Sequence, residues 1–238
     1  MAKIAIRDGE DPLPARGPRR FFLLSPASIS GIRGRRLTDE NAGSALAGRL
    51  RSDGVSLGEL FTFISSLYFR GKLAYATAFG EVARCFVITG CGGLLPPHTL
   101  VTRAEIQKLS SVDFDPADAR YRAPLHRDSI RLLESEPQCE VVLLGSIATA
   151  KYVDPLLEIF GERLLFPEAF VGRGDMSRGG LMLRAVESGR ELSYVPVQNA
   201  KRKGSRPPKL TSRRPGPAES KGNGPTASHP RPLRKFKA

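Results

Sequence analysis

The sequence predicts an α/β domain of three layers, with helices on both faces of a mostly parallel or mixed central sheet. Short runs apolar at consecutive positions, as strands covered on both sides must be, recur at residues 20–25, 85–90 and 140–146. Longer stretches between them set apolar residues three and four apart, the helical period. Segments of the two kinds alternating along one chain build a sheet with helices on both sides.

Residues 1–19 are polar, carry Pro12, Pro14 and Pro18, and read as a loose leader. RFFLLS at 20–25 is the first strand. Residues 57–68 place Leu57, Leu60, Phe61, Ile64 and Leu67 at helical spacing, and the pattern continues over 72–79 beyond Gly71. CFVITG at 85–90 is the second strand and EVVLLGS at 140–146 the third. A helix over 122–134 (Leu125, Ile130, Leu132, Leu133) precedes the third strand, and one over 148–160 (Tyr152, Val153, Leu156, Leu157, Phe160) follows it. Residues 164–166 and 192–197 are weaker strands, the latter interrupted by Pro196. Between them a helix over 176–186 rests on Met176, Leu181, Leu183 and Val186. One domain over 20–198 is expected.

The 238 residues carry 37 Lys+Arg against 24 Asp+Glu, a formal charge of +13. The excess is local. Residues 201–238 hold 12 of the basic side chains and one acid, Glu219, leaving 25 basic and 23 acidic residues before them. The same stretch holds seven of the 19 prolines, and its sizeable apolar residues are Leu210, Leu233 and Phe236. Such a segment buries too little surface to offset its ordering entropy, so 199–238 is predicted to be a disordered basic tail. A flexible cationic arm suits a polyanion, because each Lys or Arg meeting a phosphate releases condensed counterions. Lys201, Arg202, Lys203, Arg206, Arg213 and Arg214 are accordingly expected to act as an electrostatic tether to DNA or RNA. A solubilising extension is the alternative.

Several classes are excluded or disfavoured. No apolar run approaches the ~18 residues that span a bilayer, no lipidation signal is present, and the N-terminus lacks a secretory core; a cytoplasmic protein without a membrane partner is predicted. Cys85, Cys91 and Cys139 have no paired spacing, and His98, His126 and His229 have no ligand partner nearby in sequence, so no disulfide framework, metal or cofactor is expected. His126 beside Asp128 is a candidate general base or an ordinary surface histidine. Asp113, Asp115 and Asp118 are explained by Asx turns. Cys91, in a glycine loop, is the one thiol placed to react.

Ligands of open α/β sheets bind outside the carboxyl ends of the strands. Three such ends carry small or flexible residues here: Ser25-Pro26-Ala27-Ser28 with Ser30–Gly34 behind it, Thr89-Gly90-Cys91-Gly92-Gly93, and Gly145-Ser146. Glycine admits a ligand to the backbone and small hydroxyls donate to an oxyanion, although βα turns also use these residues for geometry alone. Residues 171–180, VGRGDMSRGG, put Arg173, Ser177 and Arg178 where a helix begins, an arrangement suited to phosphate or simply a Gly-rich turn with solvated arginines. It is neither a phosphate loop with a following Lys-Ser/Thr nor a dinucleotide fingerprint. Arg70 and Lys72, between Tyr68-Phe69 and Tyr75, form a second basic and aromatic stretch of the kind that stacks bases and holds phosphates, or simply the buried face of a helix.

These landmarks, Ser25–Ala27, then Gly92–Pro96 (GGLLP), then Arg173–Arg178 (RGDMSR), occur in the order found in the peroxide-stress YaaA family, which the chain resembles. The stretch 69–76 followed by Ile88-Thr89 and 93–96 is also similar to bacterial domains of unassigned role and to the middle domain of archaeosine synthases, groups related to the uracil-DNA-glycosylase-like α/β fold. The lysine that follows Ser-Pro-Ala in YaaA proteins is Ser28 here. The resemblance implies an intracellular DNA-associated protein tied to DNA or oxidative damage.

The expected function is therefore nucleic-acid binding. One anion-receptive mouth would be formed by Ser25, Ser28, Gly92, Gly93, Arg173, Ser177 and Arg178, with Arg70 and Lys72 as further phosphate contacts. The alternative is an enzyme acting on a nucleobase, nucleoside or nucleotide, in which Arg178 and backbone donors stabilise developing negative charge.

Overall fold

A computed structural model describes residues 19–210. Strand β1 (Arg20–Leu24) is followed by α1 (Ile32–Thr38), α2 (Ala45–Arg51), β2 (Val55–Ser56), α3 (Leu57–Ser65) and α4 (Leu67–Phe79). Then come β3 (Cys85–Ile88), β4 (Leu94–Leu95), β5 (Leu100–Val101), α5 (Arg103–Ser110) and α6 (Ala119–Ser135). The chain closes with β6 (Glu140–Leu144), α7 (Ala150–Phe160), β7 (Leu164–Pro167), α8 (Asp175–Ser188) and β8 (Tyr194–Pro196).

The central sheet is mixed, in the order β4-β3-β1-β6-β7-β8, and β2 and β5 form a separate small ribbon. β3, β1, β6 and β7 run parallel, whereas β4 and β8 return antiparallel at the two edges. Phe22, Leu23 and Leu24 of β1 and Val141 to Leu144 of β6 are fully buried. That is why these runs are apolar on both alternating faces. Pro196, which lacks a backbone donor, sits in an edge strand, where proline is tolerated.

α4 lies in the connection from β1 to β3 and packs on both strands, and α7 lies in the connection from β6 to β7 and packs on β7. α8 packs on α4, and α6 packs on α7. The α4–α8 contact depends on two glycines: a Cβ placed on Gly71 would lie 2.8 Å from the carbonyl oxygen of Gly179. Gly71 therefore lies within α4 as a site of close approach. The helical pattern over 57–68 breaks instead at Ser66, whose φ of 50° lies in the left-handed region. α1, α2 and α5 have no counterpart in the sequence reading, which took residues 30–34 as a strand-end turn. They are seven or eight residues long and expose their charged side chains, so their apolar periodicity is too brief to register.

Residues 201–210, read from sequence as disordered, run without regular secondary structure past the start of α8, where Arg173 Nη1 donates to Pro208 O (3.3 Å). The leader up to residue 18 and the tail beyond 210, including Arg213 and Arg214, lie outside the described residues.

Candidate functional site

The chain steps from β1 to β3 on one side of β1 and then crosses back to β6 on the other, so the topological switch point lies between β1 and β6. Leu24 pairs with Leu144, which brings Ser25 and Gly145 side by side at the carboxyl edge. Ser25 N donates to Leu144 O (3.2 Å), and a Cβ on Gly145 would lie 3.1 Å from Ser25 Oγ.

Helix α4 delivers Lys72 to this point. Its stripe Tyr68, Lys72, Tyr75 and Ala76 follows the helical period and faces the core, so the lysine occupies a core position and is 1% exposed. Lys72 Nζ donates to Ser25 O (2.8 Å) and lies 2.7 Å from Ser25 Oγ, 3.9 Å from the centre of the Tyr68 ring. Among the described residues no carboxylate comes within ion-pair distance of it. Burial lowers its pKa to about 7, with Asp175 acting against the shift and Arg178 adding to it.

Tyr68 Oη is buried, with the Arg178 guanidinium as its neighbouring donor and no acceptor for its own proton. Burial pushes its pKa up to about 12, opposed by the neighbouring Arg178, so the phenol keeps its proton. Arg178 is held by two backbone carbonyls just beyond β6 and β7: Nε donates to Phe170 O (3.2 Å) and Nη1 to Gly145 O (3.5 Å).

Two hollows flank this centre. One, of about 280 Å³, is lined by Pro26, Ser28, Phe61, Thr89, Gly90, Phe114 and Tyr152 among others. The other is a wide groove of about 910 Å³ over the first turn of α8. Its lining includes the cations Arg173, Arg184, Arg206 and Lys209, and a single carboxylate, Asp175.

The residues singled out in the sequence divide between these places. Ser25, Lys72 and Arg178 meet at the switch point. Lys72 is thus directed into the core at Ser25, out of reach of a phosphate on the surface. Ser28 lines the smaller hollow, its Oγ 2.9 Å from Ser30 Oγ. Arg173 and Ser177 line the groove, with Nη1 donating to Oγ at 3.2 Å. Arg70 is exposed on α4. Gly92 and Gly93 line neither hollow. They form the β3–β4 turn, where Gly92 N donates to Thr89 Oγ1 (3.0 Å) and Leu94 N to Asp128 Oδ2 (3.0 Å). The expected single mouth is therefore divided: Ser28 opens on one hollow, Arg173 and Ser177 on the other, and Gly92 and Gly93 on neither.

Asp128 is occupied by Leu94 N and Arg127, whereas His126 lies 3.9 Å from Glu158; the two do not form a base pair of their own. Cys91 Sγ is 3.4 Å from Lys108 O, and Cys85 and Cys139 are buried. Among the described residues no cluster of His, Cys, Asp or Glu could hold a metal ion, and no helix is long and apolar enough to cross a membrane.

No family model, curated protein or solved structure matches the chain.

What sequence reasoning missed is the buried hydroxyl of Tyr68, read there as an aromatic beside Arg70 and Lys72, Gly145 as the neighbour of Ser25, and Arg184, Arg206 and Lys209 as one lining. The signal for the Ser25–Lys72 contact was present: Lys72 falls on the apolar stripe of its helix, yet Arg70-Gly71-Lys72 reads as a basic cluster when taken along the chain.

Proposed function

We propose that the protein binds nucleic acid along the groove over α8 and the basic segment that follows the fold. The observation that carries this is the bond from Arg173 to Pro208 O, which brings the start of the tail onto the first turn of α8. Arg173, Arg184, Arg206 and Lys209 then line one concave surface, with Lys201, Arg202 and Lys203 exposed just before it. Cations gathered along one groove suit a phosphate backbone, and a groove open at its sides accepts a strand without reading its bases. The tail beyond residue 210 extends the same charge and would raise the rate and range of capture.

The likeness to YaaA proteins supports assigning this binding to DNA, in the setting of DNA or oxidative damage. The test is anisotropy titration of single-stranded and duplex oligonucleotides at several salt concentrations, with the full chain and with a chain ending at residue 200. Affinity should fall steeply with salt for the full chain and lose most of that dependence on truncation. Equal affinity and equal salt dependence in the two would remove the tail from the binding surface.

A further inference from the structure

We propose that Ser25 and Lys72 are a nucleophile and its general base, that Tyr68 and Arg178 hold the oxyanion, and that the substrate is a small ester or amide that enters by the hollow lined by Pro26, the residue next to Ser25. Three features of the switch point lead there. The first is the 2.7 Å bond that Lys72 Nζ donates to Ser25 Oγ, whose own O–H points to Leu144 O at 3.5 Å; a turn of that hydroxyl puts its proton within reach of a neutral amine.

The second is the surroundings of the amine. The charged and titratable groups facing Lys72 are Tyr68 on its own helix and Asp175 and Arg178 on α8. No carboxylate pairs with it among the described residues, and an unpaired buried ammonium is costly, so the amine is held in the form that accepts a proton near neutral pH.

The third is the orphaned Tyr68 hydroxyl. Arg178 stands beside this oxygen as a donor, so the phenol's own proton has no acceptor and is free for a group that arrives from outside. It also replaces a missing donor. Pro26 follows Ser25, so the backbone N–H that usually serves the oxyanion after a nucleophile does not exist here. Tyr68 O–H and the Arg178 guanidinium, fixed on Phe170 O and Gly145 O, supply it instead. With Lys72 acting as base, one phenol and one guanidinium remain. That matches the single oxyanion of a tetrahedral carbon adduct better than the several charged oxygens of a phosphoryl group.

In the step itself the Ser25 O–H bond breaks and its proton moves to the Nζ lone pair as the Oγ–C bond forms. The carbonyl π electrons pass to oxygen, which accepts from Tyr68 and Arg178. Collapse restores C=O and breaks the bond to the leaving group, which departs with the proton from Lys72. Water repeats the sequence on the acyl-serine: it gives a proton to Lys72, the carboxylic acid leaves, and Ser25 recovers its hydrogen.

The experiment is treatment of the folded full chain with an alkyl fluorophosphonate, with the adduct located by fragmentation mass spectrometry among Ser25, Ser28 and Ser30. The expected result is an adduct on Ser25 whose rate of formation rises with pH through about 7 and is lost on unfolding. Lys72→Arg, which stays protonated and takes no proton, should slow it at least 100-fold, and Tyr68→Phe about tenfold or more. Absence of a Ser25 adduct in the folded wild-type chain overturns the proposal whatever the variants do. So does an adduct formed equally fast in a folded Lys72→Arg or Tyr68→Phe protein.

Discussion

Lys72 Nζ and Ser25 Oγ, 47 positions apart in sequence, lie 2.7 Å from each other at the carboxyl end of β1. The contact ties α4 to the strand at the point where the sheet order reverses. It buries an amine among Tyr68, Phe69 and Ser25, with nothing of opposite charge in contact among the described residues.

This has a consequence for stability against pH. The pKa of Lys72 is lowered from its ordinary 10.5 to about 7, so between these values the unfolded chain binds more protons than the folded one. Stability must therefore rise with pH through that window. Between pH 7 and pH 9 the gain should be about 2 kcal/mol. Above about pH 9 the sign reverses, because Cys85 and Tyr75, both pushed up to about 12 by burial, lose their protons first in the unfolded state. Urea denaturation across pH 6–10 should show a maximum near pH 9, and Lys72→Met should abolish the rise. A wild-type curve flat from pH 7 to 9 would contradict the buried amine.

The α4–α8 contact predicts a contrast among glycines of the same region. Ala at Gly71 or Gly179 would press a methyl into backbone at 2.8 and 2.6 Å, and should cost roughly 2–3 kcal/mol. Gly180, one residue on, meets its nearest neighbour, a Leu210 methyl, at 3.5 Å. Gly180→Ala should be neutral or stabilise by about 0.5 kcal/mol through the unfolded chain. Equal denaturation midpoints for all three variants would show that the helices are not in close contact.

The Gly92–Gly93 turn is a third case, because its position assigns it to the scaffold. Asp128→Ala leaves the Leu94 N–H without its acceptor and should destabilise by about 1–2 kcal/mol. Nucleic-acid affinity of the folded variant should be unchanged. A large loss of affinity at full stability would return the turn to the binding surface.

These cases show what a one-dimensional reading can hold. β1 and β6 were legible because central parallel strands must be apolar on both faces, and the helices over 122–134, 148–160 and 176–186 because each repeats its apolar period over several turns. Ser66 was not legible as a break: a positive φ at serine has no sequence signature, whereas Gly71 has the residue type of a break and the role of a contact. Ser25 and Arg178 stood out by type and position, but their meeting depends on the β1–β6 register. Lys72 was read by its charge and its neighbours along the chain, while its helical phase, which decides burial, placed it in the core. Arg206 and Lys209 were read as tail, since composition says nothing of where a Pro-containing segment is led by one bond from Arg173.

The most direct measurement of the binding account is the salt dependence of oligonucleotide affinity for the full chain carrying Arg173→Ala and Arg206→Ala together. Each phosphate contact contributes roughly 0.7–0.9 to the slope of log K against log salt, so the double variant should lose about 1.5 in slope and bind at least tenfold more weakly at moderate salt. A slope and affinity identical to those of the wild-type chain, with the fold intact, would contradict it.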